Sequence, residues 1–267
     1  MVILLFFFLL SLSSVASASG WCARASGAGC TVSGKRVAVV VLNDKHTGSE
    51  DDLSVLSHAA YTHRHGYDLY IERCYVDGDA YVQADRMSVN LAKPHLILKH
   101  LEAHDMVLYL DADTYFRDHD RTLEQYAADR FEGSSASILV SADCFDETFC
   151  WSANGPNTGV ILVKNTQSAV RALETWAKAM HPGEACDESK NELYRSLKHH
   201  EQGCFNALMM QDEAFGDQVL LLPKDHREGF GSNDGAFITH VVGHYNDDRR
   251  QRMREALRPL VQRLFFD

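Results

Sequence analysis

The sequence of 267 residues lacks an excess of basic side chains, with 26 Lys and Arg against 37 Asp and Glu and a net charge of −11. General nucleic-acid binding needs a basic face, so this composition argues against nucleic acid as a partner. A phosphate-bearing ligand stays compatible with the charge if a metal ion or a few local cations neutralise it. No internal repeat or linker divides the chain, whose length suits one large α/β domain.

The N-terminus lacks a hydrophobic run of the ~20 residues that a comfortable membrane span needs. The apolar run from Val2 to Leu12 has no Lys or Arg before it, and Ala16-Ser17-Ala18 follows with the small-x-small form of a cleavage site. This pattern favours a cleaved signal peptide at residues 1–18 over a short signal-anchor that would associate with a membrane. A Gly-, Ala- and Ser-rich stem is predicted at 19–34, and the folded domain at 35–267.

The sequence has no Asn-x-Ser/Thr sequon, and its seven cysteines match no zinc-binding spacing. Because seven is an odd number, at least one cysteine is free or paired between chains. Entry into the secretory pathway would permit disulfides. The easiest local pairs are Cys22 with Cys30 and Cys144 with Cys150.

Short apolar runs bounded by charge predict the buried strands of a parallel sheet. Arg36 to Leu42 and Tyr67 to Cys74 flank a helical pattern at Asp51 to His65, which predicts parallel strands joined by a right-handed crossover. Further strands are predicted at 107–110, 137–141, 160–163, 219–222 and 237–242. Further helices are predicted at 93–104, 121–130, 166–180, 191–210 and 247–264, the fourth of these interrupted near 201–203. The pattern indicates an α/β fold.

Two aspartates follow the most apolar central strand, in the stretch MVLYLDADTYFRD from Met106 to Asp118. Residues i and i+2 of an extended chain point the same way, so Asp111 and Asp113 are expected to converge where open α/β sheets bind ligands. Like charges so close need a cation or a shared proton, and a hard divalent ion shared with a substrate diphosphate meets this need. The alternative is a strand end with two solvated aspartates, because a bare Asp-x-Asp is common.

Six stretches resemble, in the same order, those of a glycosyltransferase family with plant xyloglucan xylosyltransferases, galactomannan galactosyltransferases and fungal Golgi α-1,6-mannosyltransferase subunits. They are HRHGYDLYIE (63–72), LAKPHLILKHL (91–101), VLYLDADTYFRD (107–118), NTGVILVKN (157–165), HEQGCFNAL (200–208) and FITHVVGH (237–244). The resemblance implies a GT-A fold, with a single Rossmann-like mixed sheet flanked by helices. It also implies a UDP- or GDP-sugar donor, a glycan acceptor and retention of anomeric configuration. The protein is expected to lie in the secretory pathway, either membrane-anchored in the Golgi lumen or secreted.

Under this resemblance, Asp111 and Asp113 are similar to the family's Asp-x-Asp, and His240 to its late metal-ligand histidine. The first aspartate would also reach the donor ribose. Imidazole with carboxylates suits Mn²⁺, with Mg²⁺ as the alternative ion. A strand-end histidine hydrogen-bonded to a carbonyl is the alternative interpretation of His240.

The same resemblance implies which residues would contact the donor sugar. Asn157 and Gly159 resemble a donor-side turn, where the asparagine would face the sugar and the glycine would allow close approach. Lys93 would contact donor phosphate, with an exposed lysine at a helix start as the alternative. Glu201 and Gln202 resemble an acid–glutamine pair near the transferring sugar and are the predicted catalytic residues. The family commonly has Asp where this chain has Glu201, which could instead be only a helix-dipole partner.

The end of the His-x-x-Gly motif departs from the family. Gly243 is predicted to lie beside the donor diphosphate, but His244 and Tyr245 follow it where the family usually has Cys and a basic residue. Either Arg249 or Arg250 takes over the diphosphate contact, or diphosphate binding is weaker.

Two other functions are open at this point. Haloacid-dehalogenase-like phosphatases also end a strand in Asp-x-Asp, but their pattern is Asp-x-Asp-x-Thr. In this chain Thr114 follows the second Asp directly and Tyr115 occupies the place of that threonine. Their nucleophile strand is also normally the first of the domain. The other alternative is a non-catalytic nucleotide-sugar- or glycan-binding protein, because fold alone does not establish activity. Such a binder would take up donor without turnover.

Overall fold

The computed structural model describes residues 24–25, 36–42, 50–72, 89–142, 155–181, 183–186, 200–222, 230–232, 235–241, 251, 253–259 and 262. Several predictions lie outside these residues. They concern the signal peptide, most of the stem, the local cysteine pairs, Gly243 and the basic positions at 249–250.

A seven-stranded mixed sheet forms the centre of the fold, in the order β1-β3-β2-β4-β7-β6-β8. Strands β2, β3 and β4 are mutually parallel, β6 is parallel to β8, and β7 runs antiparallel to its neighbours β4 and β6. The strands are β1 (Arg24–Ala25), β2 (Val37–Leu42), β3 (Asp68–Glu72), β4 (Met106–Asp111), β6 (Ile138–Ala142), β7 (Pro156–Lys164) and β8 (Val219–Leu222).

A second, three-stranded sheet has the order β5-β10-β9. It consists of β5 (Thr114–Phe116), β9 (Phe230–Ser232) and β10 (Ile238–His240). Strand β5 follows β4 directly across a turn, and it pairs antiparallel with β10 so that Thr114 lies opposite His240. This small sheet therefore brings a late segment of the chain beside the end of the central strand.

The described helices begin with α1 (Glu50–His65), which connects parallel strands β2 and β3 as predicted and is followed by Gly66 at φ 71°. Thr166 caps the helix Gln167–Ala179, close to the predicted start at 166, by accepting a hydrogen bond from Ala169 N. None of the helices in the described ranges is long and apolar enough to cross a membrane. The others are α2 (Lys93–Leu101), α3 (Leu123–Phe131), α4 (Gln167–Ala179), α5 (His200–Gln211) and α6 (Glu213–Gly216), and residues 253–259 are also helical.

Apolar clusters cover both faces of the large sheet. One face packs around Tyr109, Trp176 and Phe205, and the other around Tyr61 and Phe116. Successive residues of β4 enter the two clusters alternately, as the pleat of a strand requires. A strand buried on both faces needs a continuous apolar run rather than an alternating one, which explains why β4 was predictable.

Two local predictions were wrong. Residues 157–159 form part of strand β7 rather than a turn before it, because Asn157 pairs with Ser141 of β6. The predicted interruption near 201–203 is absent, because α5 runs unbroken from His200 to Gln211. Gly203 is intrinsically unfavourable in a helix by about 1 kcal/mol relative to Ala, but tertiary contacts override that preference.

Those tertiary contacts hold the first turns of α5 on the protein. Trp176 Nε1 donates a hydrogen bond of 3.1 Å to the carbonyl of Glu201. Cys204 forms a disulfide with Cys186, their Cα atoms being 5.5 Å apart. This pair was not among those predicted, because the two cysteines are separated by 18 positions and become neighbours only when α5 docks beside α4.

Candidate active site

Three side chains of the types that bind metal ions meet at the end of the central strand. Asp111 ends β4, Asp113 lies in the following turn and His240 ends β10. One ligand atom from each lies within 4.8 Å of the other two. His240 Nε2 is 3.2 Å from Asp113 Oδ1. The aspartates are partly exposed and His240 is buried, so the group opens to solvent on the carboxylate side.

The convergence of the two aspartates arises differently from the predicted extended geometry. Ala112 and Asp113 form a turn, so Asp113 does not continue the strand that ends at Asp111. The carbonyl of Asp113 accepts a hydrogen bond of 3.0 Å from Val241 N, immediately after β10. The turn and its contact with β10 thus place Asp113 against His240.

Helix α1 packs against this turn and the strand that follows it. The residues that make these contacts were not predicted to belong to the site. Thr114 Oγ1 donates to the carbonyl of Asp111 at 2.8 Å, and Ser54 Oγ donates to the carbonyl of Thr114 at 2.6 Å. His58 Nε2 lies 3.2 Å from Thr114 Oγ1, and Ser57 Oγ accepts from Phe116 N. Because the Thr114 hydroxyl donates its hydrogen to Asp111, it accepts from His58.

Burial, and then the nearby His119, lower the pKa of His58 to about 3. His58 is therefore neutral, which agrees with one ring nitrogen that donates and one that carries no proton. Its Nδ1 is buried and has no hydrogen-bond partner among the residues that the structure describes. The sequence did contain a signal for this support. Ser54, Ser57 and His58 are polar residues at i, i+3 and i+4, so they share a helix face that the structure buries.

Lys93 is buried, so the alternative of an exposed lysine was wrong. Its Nζ lies 3.1 Å from Asp111 Oδ2, 3.0 Å from Glu201 Oε1 and 3.2 Å from the carbonyl of Thr158. Burial works to lower the pKa of Lys93, but the Asp111 and Glu201 carboxylates outweigh it and raise the pKa above its ordinary value. Lys93 thus forms a charged link between α5 and the segment Asp111–Asp113, here called the aspartate turn. Contact with donor phosphate stays a prediction.

Tyr109 holds the other oxygen of Asp111. Its hydroxyl donates a 2.8 Å hydrogen bond to Asp111 Oδ1, while Lys93 Nζ lies 5.5 Å from the centre of its ring. Burial and the neighbouring Asp111 carboxylate raise the pKa of Tyr109, so the phenol keeps its proton and remains a donor. Both oxygens of Asp111 therefore have a fixed direction before any ligand binds.

Glu201 and Gln202, the predicted catalytic pair, lie in the first turn of α5 beside β7. Besides its ion pair with Lys93, Glu201 Oε1 accepts a 3.3 Å hydrogen bond from Thr158 Oγ1. Gln202 Oε1 accepts a hydrogen bond of 3.2 Å from Thr158 N. The glutamate thus does more than interact with the helix dipole. It joins the site through an ion pair, whereas a direct part in catalysis stays a prediction.

Asn157 and Gly159 contact His240, and the prediction that they face the donor stays a prediction. Asn157 Oδ1 accepts a 2.8 Å hydrogen bond from Gly159 N and lies 3.1 Å from His240 Nδ1. A Cβ atom built on Gly159 would lie 2.0 Å from His240 Cε1. The close approach that needs a glycine here is therefore that of the imidazole. His240 lies at a strand end beside the side-chain carbonyl of Asn157, as the alternative expects, but its other ring nitrogen faces the Asp113 carboxylate, as the metal-ligand interpretation expects.

The group fits a divalent cation on chemical grounds. Two carboxylates and one imidazole are suitable ligands for Mn²⁺, and the carboxylates alone suit Mg²⁺. Burial works to lower the pKa of His240, but the Asp113 carboxylate, and then that of Asp111, raise it above the ordinary value. The carboxylates therefore favour a positive charge at this point, which a proton on His240 or a metal ion supplies.

Solved glycosyltransferases share this architecture. A glycosyltransferase involved in the glycosylation of the major capsid of PBCV-1 is similar over 82% of this chain and 99% of its own, with 12% identity and a TM-score of 0.56. The glycosyltransferase GlyE of Streptococcus pneumoniae is similar over 84% of this chain and 60% of its own, with 16% identity and a TM-score of 0.52. At these identities the likeness shows the fold alone, which is the GT-A fold expected from the sequence.

A third structure is a Drosophila β1,4-galactosyltransferase 7 mutant in complex with manganese, UDP-Gal and xylobiose. The similarity extends over 82% of this chain and 79% of the galactosyltransferase, with 12% identity and a TM-score of 0.40. At that TM-score the likeness says nothing about the ligands of this chain. No protein of curated function matches the sequence.

The chain thus combines the GT-A fold with a carboxylate–histidine group at the end of its central strand. A profile of the nucleotide-diphospho-sugar transferase family matches residues 57–253, and the chain belongs to this family. Membership of this family rules out the haloacid-dehalogenase-like phosphatase alternative. The finer resemblance, to the xyloglucan xylosyltransferases and their relatives, stays a prediction.

Proposed function

We propose that this protein is a metal-dependent, retaining glycosyltransferase that moves a hexose or pentose from a UDP- or GDP-sugar to a glycan acceptor in the secretory pathway. The observation that carries the proposal is the meeting of Asp111, Asp113 and His240 in a member of the nucleotide-diphospho-sugar transferase family. These residues would hold Mn²⁺, with Mg²⁺ as the alternative. The bound ion would offset negative charge developing on the leaving diphosphate.

The remaining residues have roles that follow from their contacts. Tyr109 and Lys93 hold the two oxygens of Asp111, so this carboxylate meets the donor in one orientation. Lys93 contacts three protein oxygens, and we assign it an action through Asp111 and Glu201, while a contact with donor phosphate stays a prediction. Gln202, held by the Thr158 amide, is the side chain proposed to meet the transferring sugar. Retention of configuration rests on the family resemblance.

Two features support a lumenal location. The apolar run ahead of Ala16-Ser17-Ala18 has the pattern of a secretory signal. Disulfides such as Cys186–Cys204 form and persist in oxidising compartments and are rare in the cytosol. The mature N-terminus, read by mass spectrometry of protein from a secretory host, tests the assignment, and a cytosolic pool with all thiols reduced would contradict it.

A donor screen tests the activity. Purified protein is incubated with Mn²⁺ and a panel of UDP- and GDP-sugars, and release of nucleoside diphosphate is followed with and without glycan acceptors. One donor should be hydrolysed slowly without acceptor and consumed faster with the correct acceptor. NMR of the product then gives the configuration at the anomeric carbon. Saturable donor binding with no turnover on any acceptor would instead identify the non-catalytic binding protein.

Asp113→Asn is the matched variant for this assay, because it keeps the size of the side chain and removes its charge. Turnover should fall by at least ~10²-fold, equivalent to a few kcal/mol of charge stabilisation at the leaving group. Above the raised pKa of His240, where the imidazole is neutral, the metal-free fold should be as stable as the wild type, or more stable, because repulsion from Asp111 is relieved. Below that pKa it should be less stable, because the variant loses the ion pair between Asp113 and the protonated imidazole. Near-normal turnover of this variant would remove the metal-site assignment.

A further inference from the structure

We infer that Asn157 is a positioning residue that keeps a proton on Nδ1 of His240, so that Nε2 is the nitrogen presented to the metal. This inference rests on the proposed function, since it concerns the same ion. It gives Asn157 a different task from the donor contact that the sequence resemblance implies.

The first step identifies which atom of the Asn157 amide faces the histidine. The amide oxygen and nitrogen of an asparagine are assigned from their hydrogen-bond partners. Here the partner is the backbone N–H of Gly159, 2.8 Å away, and a backbone N–H can only donate. The atom beside it must therefore be the acceptor, Oδ1.

The second step passes from that oxygen to the imidazole. The same Oδ1 lies 3.1 Å from His240 Nδ1, and a carbonyl oxygen has two lone pairs with which it can accept from both neighbours. Since the oxygen has no hydrogen to give, Nδ1 must donate. A neutral imidazole carries one N–H, so its lone pair is on Nε2. Nε2 is the nitrogen that faces Asp113 Oδ1 at 3.2 Å, on the carboxylate side.

The third step concerns the position of the ring. Residues i and i+2 of a strand share a face, so Asn157 and Gly159 of β7 both face His240. Asn157 supplies the acceptor and Gly159 supplies the space, since a Cβ there would lie 2.0 Å from Cε1. The Asn-x-Gly of β7 is thus a two-residue cradle that fixes both the tautomer and the location of the imidazole. Metal-ligating histidines commonly depend on such a partner at their other nitrogen.

Direct binding of Mn²⁺ alone, measured by the loss of the free-ion EPR signal, tests the inference without donor or turnover. Asn157→Leu keeps nearly the volume of the side chain but has no acceptor, whereas Asn157→Asp keeps an acceptor. The Leu variant should bind Mn²⁺ about 10–100-fold more weakly than wild type. The Asp variant should stay within about threefold of wild type or bind more tightly, because a carboxylate accepts the same hydrogen bond.

Competition by Mg²⁺ in the same titrations separates this role from a structural one. Mg²⁺ relies on the carboxylates, so Asn157→Leu should weaken it less than Mn²⁺, and the preference for Mn²⁺ over Mg²⁺ should fall. Equal weakening of both ions, or equal loss in the Leu and Asp variants, would mean that Asn157 only supports the fold and would overturn the inference.

The outcomes distinguish this inference from the function on which it rests. If wild type binds Mn²⁺ and Asn157→Leu binds it equally well, the tautomer assignment is wrong while the metal site stands. If wild type binds no Mn²⁺, the proposed metal site falls and the inference with it. Thermal melts without metal check that each variant is folded, and Asn157→Ala replaces the Leu variant if leucine is not accommodated.

Discussion

At the scale of single residues, Gly159 and His240 share one small volume of the site. A side chain on Gly159 has nowhere to go, because its Cβ would lie within 2.0–2.7 Å of three atoms of the imidazole. We predict that Gly159→Ala displaces the ring and weakens Mn²⁺ binding at least ~10-fold. The free energy of unfolding should fall by about 1–3 kcal/mol, as is usual for overpacking. Mn²⁺ titrations and urea unfolding on the same protein measure both effects.

A double-mutant cycle provides the control for this prediction. If the clash with the imidazole is the cause, Gly159→Ala should have little further effect once His240→Ala has removed the ring. Additive losses in the double variant would show that Gly159 acts through the backbone of β7 and not through His240.

Binding of a cation at His240 should depend on pH. The carboxylates beside it raise the pKa of His240, so below that raised pKa the nitrogen carries a proton which the metal must displace. Mn²⁺ affinity should therefore fall as pH decreases, by about tenfold per pH unit in the limit of one proton, and should level off at higher pH. Isothermal titration across a pH series measures this.

His240→Ala is the matched control for the pH series. It should raise the Mn²⁺ concentration needed for binding, and the histidine-linked part of the pH dependence should disappear. A core histidine would behave differently, since its removal would lower the free energy of unfolding by ~1–3 kcal/mol and leave Mn²⁺ dependence unchanged.

Which site residues could be predicted from the sequence depended on where their partners lie. Asp111 and Asp113 follow a recognisable strand, so their position at a sheet edge could be inferred. The environment of Lys93 could not, because its neighbours Thr158 and Glu201 are over sixty and a hundred positions away in sequence. For the same reason, Asn157 and Gly159 were placed at the site while their partner, the imidazole, was not identified.

At the scale of secondary-structure elements, helix α2 inserts a buried cation between two carboxylates. Removing Lys93 would leave the Asp111 and Glu201 carboxylates without this positive charge. Glu201 is almost fully buried, so water cannot replace it there. We predict that Lys93→Met lowers the free energy of unfolding of the metal-free protein by about 3–5 kcal/mol. Mn²⁺ should recover part of this loss, because an ion at Asp111 restores positive charge there. Urea unfolding with and without Mn²⁺ measures both.

Lys99→Met offers a control on the same helix. Lys99 is half exposed, and the Glu72 carboxylate that it contacts is also within 2.8 Å of His100 Nε2. Its loss should therefore change the free energy of unfolding by no more than about 1 kcal/mol, with no effect of Mn²⁺. Equal losses in the two lysine variants would contradict the special position of Lys93.

Long elements were predictable, while short ones and docking-dependent ones were not. The central strand β4 and helix α4 have a clear apolar run or periodicity, and both were found close to their predicted limits. Strands β5 and β9 have three residues each, which is too short to show a hydrophobic period. Strand β5 nevertheless forms part of the site, directly after the turn that contains Asp113. The continuity of α5 depends on Trp176 and on a disulfide, and neither influence is visible in local sequence.

At the scale of the whole molecule, the site joins segments from across the chain. Helices α1 and α2 and strand β4 supply the aspartate turn and its supports, α5 supplies the predicted catalytic pair, and β10 supplies the histidine. Only a folded large sheet with the small sheet against it brings these parts together. The stability of the docked α5 should therefore matter both to the fold and to the chemistry.

The Cys186–Cys204 disulfide is the covalent part of that docking. It closes a loop between positions 18 apart, for which the chain-entropy relation gives about 3 kcal/mol. We predict that the free energy of unfolding of the double variant Cys186→Ala with Cys204→Ala is lower by about 2–4 kcal/mol than that of the oxidised wild type. Turnover should also fall, because Glu201 and Gln202 lie on the same end of α5 as Cys204.

Peptide mapping without reduction should recover the Cys186–Cys204 pair from protein made in a secretory host. Urea unfolding then compares oxidised wild type, wild type with reductant and the double alanine variant. Reductant should shift the wild-type midpoint toward that of the variant, since both treatments release the same loop. If the variant and the oxidised wild type unfold at the same urea concentration, α5 is held by its noncovalent contacts alone. The Trp176 hydrogen bond to Glu201 would then be the contact to remove next.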